Sequence, residues 1–282
     1  MGAVTTPDDS ELGLDRPTSA RMYDYCLGGK DNFEVDREAS KAMFERFPEG
    51  LLQPRDNRRF LYRVVRFLAR DAGIKQFLDL GSGLPTQNNV HQVAGEFQPG
   101  ARVVYVDHDP IVLAHGRALL AEDRSTTVIS ADMVDTDEIL NHAETRRLID
   151  FSEPVAVLFL SVTHSIVDDE VVRRMLATIR AAVVPGSHIA LSQLVGESRE
   201  VVDEANAIMA AQGVAWKNRM REDVAAFVAD LEPVEPGLVD VKDWRPDPTQ
   251  PPLPPVEESL QKYIELAKQT RFSQCGGVFR VP

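Results

Sequence analysis

From Gly73 onward, short apolar runs alternate with longer amphipathic stretches. QFLDL (76–80), RVVYV (102–106), TTVI (126–129), VAVLFL (155–160) and HIALSQL (188–194) are shorter than a typical helix and rich in β-branched or large apolar residues, which predicts buried strands. Between them, NNVHQVAGEF, PIVLAHGRALLAE and DDEVVRRMLATIRAAV carry apolar residues at helical spacing. The last opens on Asp168 and Asp169 as capping candidates and stops at Pro185 and Gly186. Strands that alternate with helices imply right-handed crossovers and a mostly parallel sheet covered on both faces. The predicted fold class is therefore α/β, an open, doubly wound sheet.

Upstream, NRRFLYRVVRFLARD (57–71) places Phe60, Leu61, Val64, Val65 and Leu68 on one helical stripe. Arg58, Arg59, Arg63, Arg66 and Arg70 fall elsewhere around this helix and read as a solvated face. Residues 1–16 are polar and punctuated by proline, which predicts a mobile terminus. Beyond Gly196, SREVVDEANAIMAAQG predicts a helix, a second helix ends near Leu231, and PGLVDV (236–241) is a candidate strand. RPDPTQPPLPP (245–255) holds too many prolines for an interior strand and predicts an extended surface connection. Residues 256–270 read as helix, and GGVFRV (276–281) as a returning strand.

Composition narrows the function classes. With 282 residues, 43% of them hydrophobic, the chain can bury the core of one large domain with additions, or of a large and a small lobe. A formal net charge of −13 would repel a phosphate backbone, so a small-molecule partner is expected rather than nucleic acid. The N-terminal residues show no basic segment followed by an apolar core, and no stretch has the length of a membrane span. The expected location is cytoplasmic, without a membrane partner. Cys26 and Cys275 make no disulfide framework and no CxxC or HxxxH spacing is present, so free thiols and no metal are expected.

In an open parallel sheet, ligands bind outside the carboxyl ends of the strands where the topology switches. LDLGSGLPT (78–86) sets Gly81 and Gly83 directly after an apolar strand, where backbone can turn tightly and approach a ligand. The next strand ends at Asp107, placed where an acid can accept hydrogen bonds from ribose hydroxyls. The third leads into ADM, with Asp132 near the expected position of an adenine amino group. These strand ends describe a nucleoside pocket. The third glycine of a dinucleotide fingerprint is replaced by Thr86, which argues against a nicotinamide cofactor.

The combination of LDLGSGLPT, VVYVDHDP, ISADM and FLSVTHSIVDD resembles the class I S-adenosylmethionine-dependent methyltransferases. More narrowly, RPTSARMYDYCLGGKDNFEVD followed by GSGLPTQNNVHQVA is similar to the bacterial DUF574 group, methyltransferase family 19, from about Arg16 to Val195 and more loosely to the end. The resemblance implies a seven-stranded sheet whose last strand is antiparallel, with PGLVDV and GGVFRV as the final pair. It implies three segments: a flexible N-terminus (1–15), a helical cap or lid (16–72) and a Rossmann-like cofactor domain (73–282). The cofactor would be S-adenosyl-L-methionine, with Gly81, Ser82 and Gly83 against its methionine part, Asp107 on ribose, His108 beside adenine, and Asp132 and Met133 closing the adenine end. Ser161, Thr163 and His164 would face the methyl group and its acceptor.

That resemblance gives RMYDYCLGGKDNFEVD (21–36) a role, because a sulfonium methyl at the strand ends needs a cover that excludes water. Tyr23 would wall the acceptor pocket, Gly28 and Gly29 would allow close approach, and Lys30 or Asn32 would contact a polar group such as the cofactor carboxylate. A packed helix followed by a Gly-Gly stop is the simpler account of the same residues. His164 is the candidate general base, or a residue that only shapes the pocket. The expected activity is methyl transfer to a small molecule. A non-catalytic S-adenosylmethionine-binding protein and a nucleotide-dependent oxidoreductase remain as alternatives.

Overall fold

All five of the first apolar runs become strands at nearly the predicted bounds: β1 (Gln76–Leu80), β2 (Arg102–Asp107), β3 (Thr126–Ser130), β4 (Ala156–Leu160) and β5 (His188–Gly196). They pair in parallel in the order β3-β2-β1-β4-β5, so the direction of winding reverses between β1 and β4. The structure, a computed structural model, describes residues 14–86, 88–119, 124–267 and 270–282. The mobility expected of the N-terminus falls almost wholly outside the described residues.

Period-two alternation divides the sheet between two cores. Leu78, Leu80, Val104, Val106, Val157 and Phe159 face one side, where α8 (Asp169–Ala182) contributes Val172, Met175 and Ile179. Asp168 caps that helix as expected, accepting the Glu170 amide at 2.9 Å. Phe77, Val103, Tyr105, Ala156 and Leu158 face the other side, against α3 (Leu52–Arg66) and α4 (Val90–Phe97). Each such side chain, fully buried, contributes roughly 1.5–3 kcal/mol. The remaining helices are α1 (Ser19–Leu27), α2 (Glu34–Arg46), α5 (Pro110–Leu119), α6 (Thr136–Asn141), α7 (Ala143–Leu148), α9 (Arg199–Ala211), α10 (Arg221–Phe227) and α11 (Gln261–Leu266).

The far edge corrects the strand count. The described residues form eight strands, because the segment around PGLVDV supplies only two short pieces, β6 (Glu232–Pro233) and β7 (Val239–Asp240). Pro236 and Gly237 interrupt them, and Gly237 adopts φ +84°. Both pieces pair antiparallel with β8 (Phe272–Arg280), which itself runs antiparallel to β5 over nine residue pairs. Gly276 in β8 is required by packing: a Cβ there would lie 2.9 Å from the ring of Phe60 on α3.

The predicted stripe of α3 is buried as expected, and Arg59 and Arg70 are exposed, but Arg58, Arg63 and Arg66 are not part of a solvated face. Arg63 is buried, donating to the carbonyls of Trp244 (2.8 Å) and Val241, and Arg66 pairs with Asp247. Arg58 is buried too. The proline-rich segment lacks regular structure, as expected, yet it is a strap rather than a bare surface link. Gln250 donates to Arg59 O at 2.9 Å, and Trp244 just before the segment is fully buried against Phe60. Guanidinium groups thus tether the strap at both ends, Arg63 through the carbonyls just before it and Arg55 through Pro254 O. Cys26 and Cys275 are both buried and free.

Candidate active site

The glycine turn after β1 is shaped by β2. The amides of Gly81 and Ser82 both donate to Val106 O, at 2.9 and 3.0 Å, and the Gly83 amide donates to Asp107 Oδ2 at 2.8 Å. Gly81 and Gly83 sit at φ +71° and +67°, the left-handed region that favours glycine. A Cβ on Gly81 would also lie 2.7 Å from Val162 Cγ1, whereas one on Gly83 would meet open space. The second carboxylate oxygen of Asp107 accepts the Asp109 amide at 2.9 Å. Each oxygen keeps a lone pair, so Asp107 can orient the loop and still accept hydroxyl groups. Burial raises its carboxyl above the ordinary range, opposed by those amide hydrogen bonds.

Around this turn lies a cleft with about 1010 Å³ of non-atom space, partly open to solvent. Gly81, Ser82, Gly83, Asp107, His108, Met133 and Ser161 all line it, and with Tyr23 eight of the residues expected from sequence converge. Two charged residues that sequence reasoning did not single out face the same space. Asp79 lies in the middle of QFLDL and, by alternation, on the same side as Phe77, toward α3. Arg58 of α3 also lines the cleft and donates to Asn89 Oδ1 at 3.0 Å. Burial pushes the Asp79 carboxyl up to about 7, with the Asp107 charge adding to the rise and Arg58 opposing it. An acid inside an otherwise apolar strand was the available signal, because burial of a charge requires a purpose or a partner.

Residues 16–36 lie over the strand ends. Thr18, the N-cap of α1, donates from its hydroxyl to Asp109 Oδ2 at 3.1 Å and from its amide to Asp36 Oδ1 at 2.9 Å. Asp36 forms a fully buried ion pair with Arg21 at 3.0 Å. Tyr23 faces the cleft, but its hydroxyl donates to Pro54 O at 2.9 Å and accepts from Asn57 Nδ2 at 3.0 Å. Asn57 Oδ1 accepts from Ser192 Oγ (2.6 Å), which accepts the Ser161 amide (2.8 Å). Ser161 stands at φ +62°, a strained position for a non-glycine residue, held by this network at the end of β4.

Five expected residues stand elsewhere. Asn32 spends its amide on Asp24 Oδ2 (2.9 Å) and Gly29 O (3.0 Å), so it builds the turn instead of reaching a ligand. Asp24 organises that turn, and a Cβ on Gly29 would fall 1.9 Å from its Oδ1, which explains the glycine. Lys30 is exposed and lines no described cavity. Asp132 is exposed and turns its carboxylate to the Val134 amide at 3.1 Å. Thr163 is fully buried, its hydroxyl donating to Gln193 Oε1 at 2.6 Å. His164 is only 2% exposed and stacks on Trp216 with ring centroids 3.9 Å apart. Burial, reinforced by the Arg219 charge, pushes its imidazole down to about 3, so it is neutral at physiological pH.

A second cavity, of about 710 Å³ including space open to solvent, adjoins the cleft. Ser19, Tyr23 and Ser161 line both. His164 lines the second, among Met22, Phe44 and Trp216.

A family model described as S-adenosyl methyltransferase matches residues 5–281. The chain is similar to the crystal structure of a candidate methyltransferase from Thermobifida fusca YX, with 42% identity, 99% of each chain covered and a TM-score of 0.83. It is also similar to that of a DUF574 family protein from Streptomyces avermitilis MA-4680, with 34% identity, 96% of this chain and 100% of that chain covered, and a TM-score of 0.83. Geranyl diphosphate C-methyltransferase from Streptomyces coelicolor A3(2) shares the fold at 15% identity, with 78% of this chain and 76% of that chain covered and a TM-score of 0.51. No curated protein matches the chain significantly. The cleft has room and chemistry for the cofactor those proteins imply: a glycine turn open to a ligand, a strand-end acid with lone pairs to spare, and a buried acid beside a guanidinium. By its family model and its fold, this chain belongs to the S-adenosyl methyltransferase family and is an S-adenosylmethionine-dependent methyltransferase.

Proposed function

We propose that the protein transfers a methyl group to a small molecule held in the second cavity, next to the cofactor cleft. The observation that carries this reading is the shared boundary of the two cavities at Ser19, Tyr23 and Ser161. A protein that only sensed the cofactor would not need the second space.

S-adenosylmethionine supplies a methyl group on a sulfonium, so the departing group is a neutral thioether and no leaving anion needs stabilising. The chain's residues bind and orient. Asp107 accepts ribose hydroxyls while fixing the Gly83 amide. His108 and Met133 flank the base. Asp79 accepts the ammonium and Arg58 takes the carboxylate of the amino-acid end, in place of the Lys30 and Asn32 expected from sequence. Matching a zwitterion with one buried acid and one buried base leaves neither charge unpaired.

Neither candidate catalytic group is suited to taking a proton near neutrality. Burial pushes the Tyr23 hydroxyl up to about 12, and His164 sits near 3. His164 is therefore a pocket-shaping residue in this reading rather than a base, and catalysis rests on positioning and exclusion of water. Incubation with methyl-labelled S-adenosylmethionine and a low-molecular-weight metabolite extract should place label in the small-molecule fraction. Label confined to macromolecules would overturn the reading.

Two further results follow. Because Asp79 must be ionised to receive an ammonium, cofactor affinity should rise with pH up to about 7, by at most about tenfold per pH unit. Calorimetric titration across that range checks it, and a flat profile would remove Asp79 from the site. Replacing Thr18 by Val removes the hydroxyl link to Asp109 and the α1 cap, at a cost of about 1 kcal/mol. The expected consequence is a several-fold weaker cofactor, with the melting temperature of the core unchanged.

A further inference from the structure

The second cavity has a composition that narrows its occupant, an inference that rests on the methyl-transfer reading above. Among the described residues, no Asp, Glu, Lys or Arg side chain lines it. Its walls are thioethers and rings: Met22 and Met43 with Phe44, Phe47, Trp216 and Phe272. Most polar heads that reach it are already committed, the Ser19 and Ser161 hydroxyls at its boundary with the cleft being the exceptions. Ser40 Oγ donates to Asp36 O at 2.8 Å, Gln53 Nε2 to Phe272 O at 3.0 Å, and the Asn218 amide is shared between Trp216 and Asn206. Tyr23 is held by Pro54 and Asn57. Among the described lining residues, His164 alone keeps a buried side-chain polar atom, Nδ1, without a hydrogen-bond partner.

We infer that this chamber takes an uncharged, largely apolar small molecule built on a flat ring, seated against the His164–Trp216 stack with its nucleophilic atom toward the Ser161 and Tyr23 boundary. The stack, with its rings inclined at 33°, and the edge-on Phe47–Phe272 pair, with centroids 5.1 Å apart, present aromatic surfaces to an aromatic guest. A carboxylate, phosphate or ammonium would enter without a counterion, and an unpaired buried charge costs more than the apolar contacts return. The neutral His164 imidazole offers one polar match, for a hydroxyl or N–H on the guest. Flexible Met22 and Met43 can adapt to the outline of the ring.

Isothermal titration with an isosteric set separates charge from shape: naphthol, naphthoate and naphthylmethylammonium, each added to protein saturated with S-adenosylhomocysteine. Naphthol should bind saturably, and both ions should bind about tenfold more weakly or worse. Ala205→Phe fills the chamber and should abolish naphthol binding while S-adenosylhomocysteine affinity is retained. If that variant fails to fold by circular dichroism, Met43→Glu, at a half-buried wall position, should weaken naphthol and favour the ammonium. Either ion binding as tightly as naphthol, no naphthol binding to protein that binds S-adenosylhomocysteine, or naphthol binding that survives a folded Ala205→Phe chain overturns the inference. Failure of S-adenosylhomocysteine to bind while naphthol does would instead count against the cofactor reading and leave the chamber's preference standing.

Discussion

Asp79→Asn is expected to make the unliganded protein more stable and the cofactor bind much more weakly. The carboxyl is held at about 7 in the folded chain against 3.8 in the unfolded one, so the folded state retains a proton that the unfolded state releases between those pH values. Stability is therefore lost as pH rises through that window, and an amide that carries no charge removes the penalty. Arg58 loses an opposing charge in the same substitution, which offsets part of the gain. A net stabilisation of about 1–3 kcal/mol at neutral pH corresponds to roughly 2–8 °C in melting temperature. The same change removes the negative charge that receives the cofactor's ammonium, and with it a charge-assisted hydrogen bond worth about 1.5–3 kcal/mol, or roughly 10- to 100-fold in affinity. Scanning calorimetry and titration on one preparation read both effects. A variant that is less stable and binds normally would mean that Asp79 is a structural residue.

The second large effect concerns the cover rather than the cleft. Arg21 and Asp36 are paired with no solvent exposure, and Asp36 also accepts the amides of Thr18 (2.9 Å) and Phe33 (2.9 Å). Arg21→Met leaves a buried carboxylate without its guanidinium, a loss of about 3–5 kcal/mol. That cost falls on α1 and α2, which are attached to the rest of the chain by Thr18 on Asp109, the Tyr23–Asn57 link and the packing of α1 on α3 and of α2 on α9. The expected outcome is local opening of residues 16–50, seen as rapid amide exchange and protease cleavage there, while the sheet stays protected. Cofactor affinity should fall with it, since Thr18, Ser19 and Tyr23 line the cleft. Adding Asp36→Leu to that variant should restore much of the protection, because an apolar pair no longer buries a charge. Loss of protection throughout the sheet would mean that α1 and α2 are an integral part of the core.

The sheet was legible because its strands obey a simple rule: short, largely apolar runs of four to seven residues separated by helical periods. QFLDL was predicted at 76–80 and occupies 76–80. The edge was less legible, because β6 and β7 are held by pairing with β8 and not by any local apolar run. At the site, Gly81, Gly83 and Asp107 follow from the backbone turns and strand ends that their spacing specifies, while Ser161 follows only from the family resemblance. Arg58 and Asp79 do not, since each belongs to an element whose period assigns it a generic role. Only the packing of α3 on β1 makes them neighbours across the cleft. Lys30 and Asn32 were drawn to the ligand by their polarity, yet Asn32 is consumed by the Asp24-centred turn and Lys30 faces solvent. A turn that looks over-supplied with polar groups can need all of its hydrogen bonds for itself. His164 illustrates a further limit: the chain shows a histidine after a strand, and only burial against Trp216 and Arg219 shows that it stays neutral.

Titration of the purified protein with S-adenosylmethionine, S-adenosylhomocysteine and NAD, beside an Asp107→Ala variant, tests the nucleoside cleft most directly. The account predicts saturable binding of both sulfur nucleosides, none of NAD, and a loss of about 100-fold or more in the variant, which forfeits the ribose acceptor and the anchor of the Gly83 amide together. NAD binding in the cleft, or unchanged affinity for S-adenosylmethionine without the Asp107 carboxylate, would contradict it.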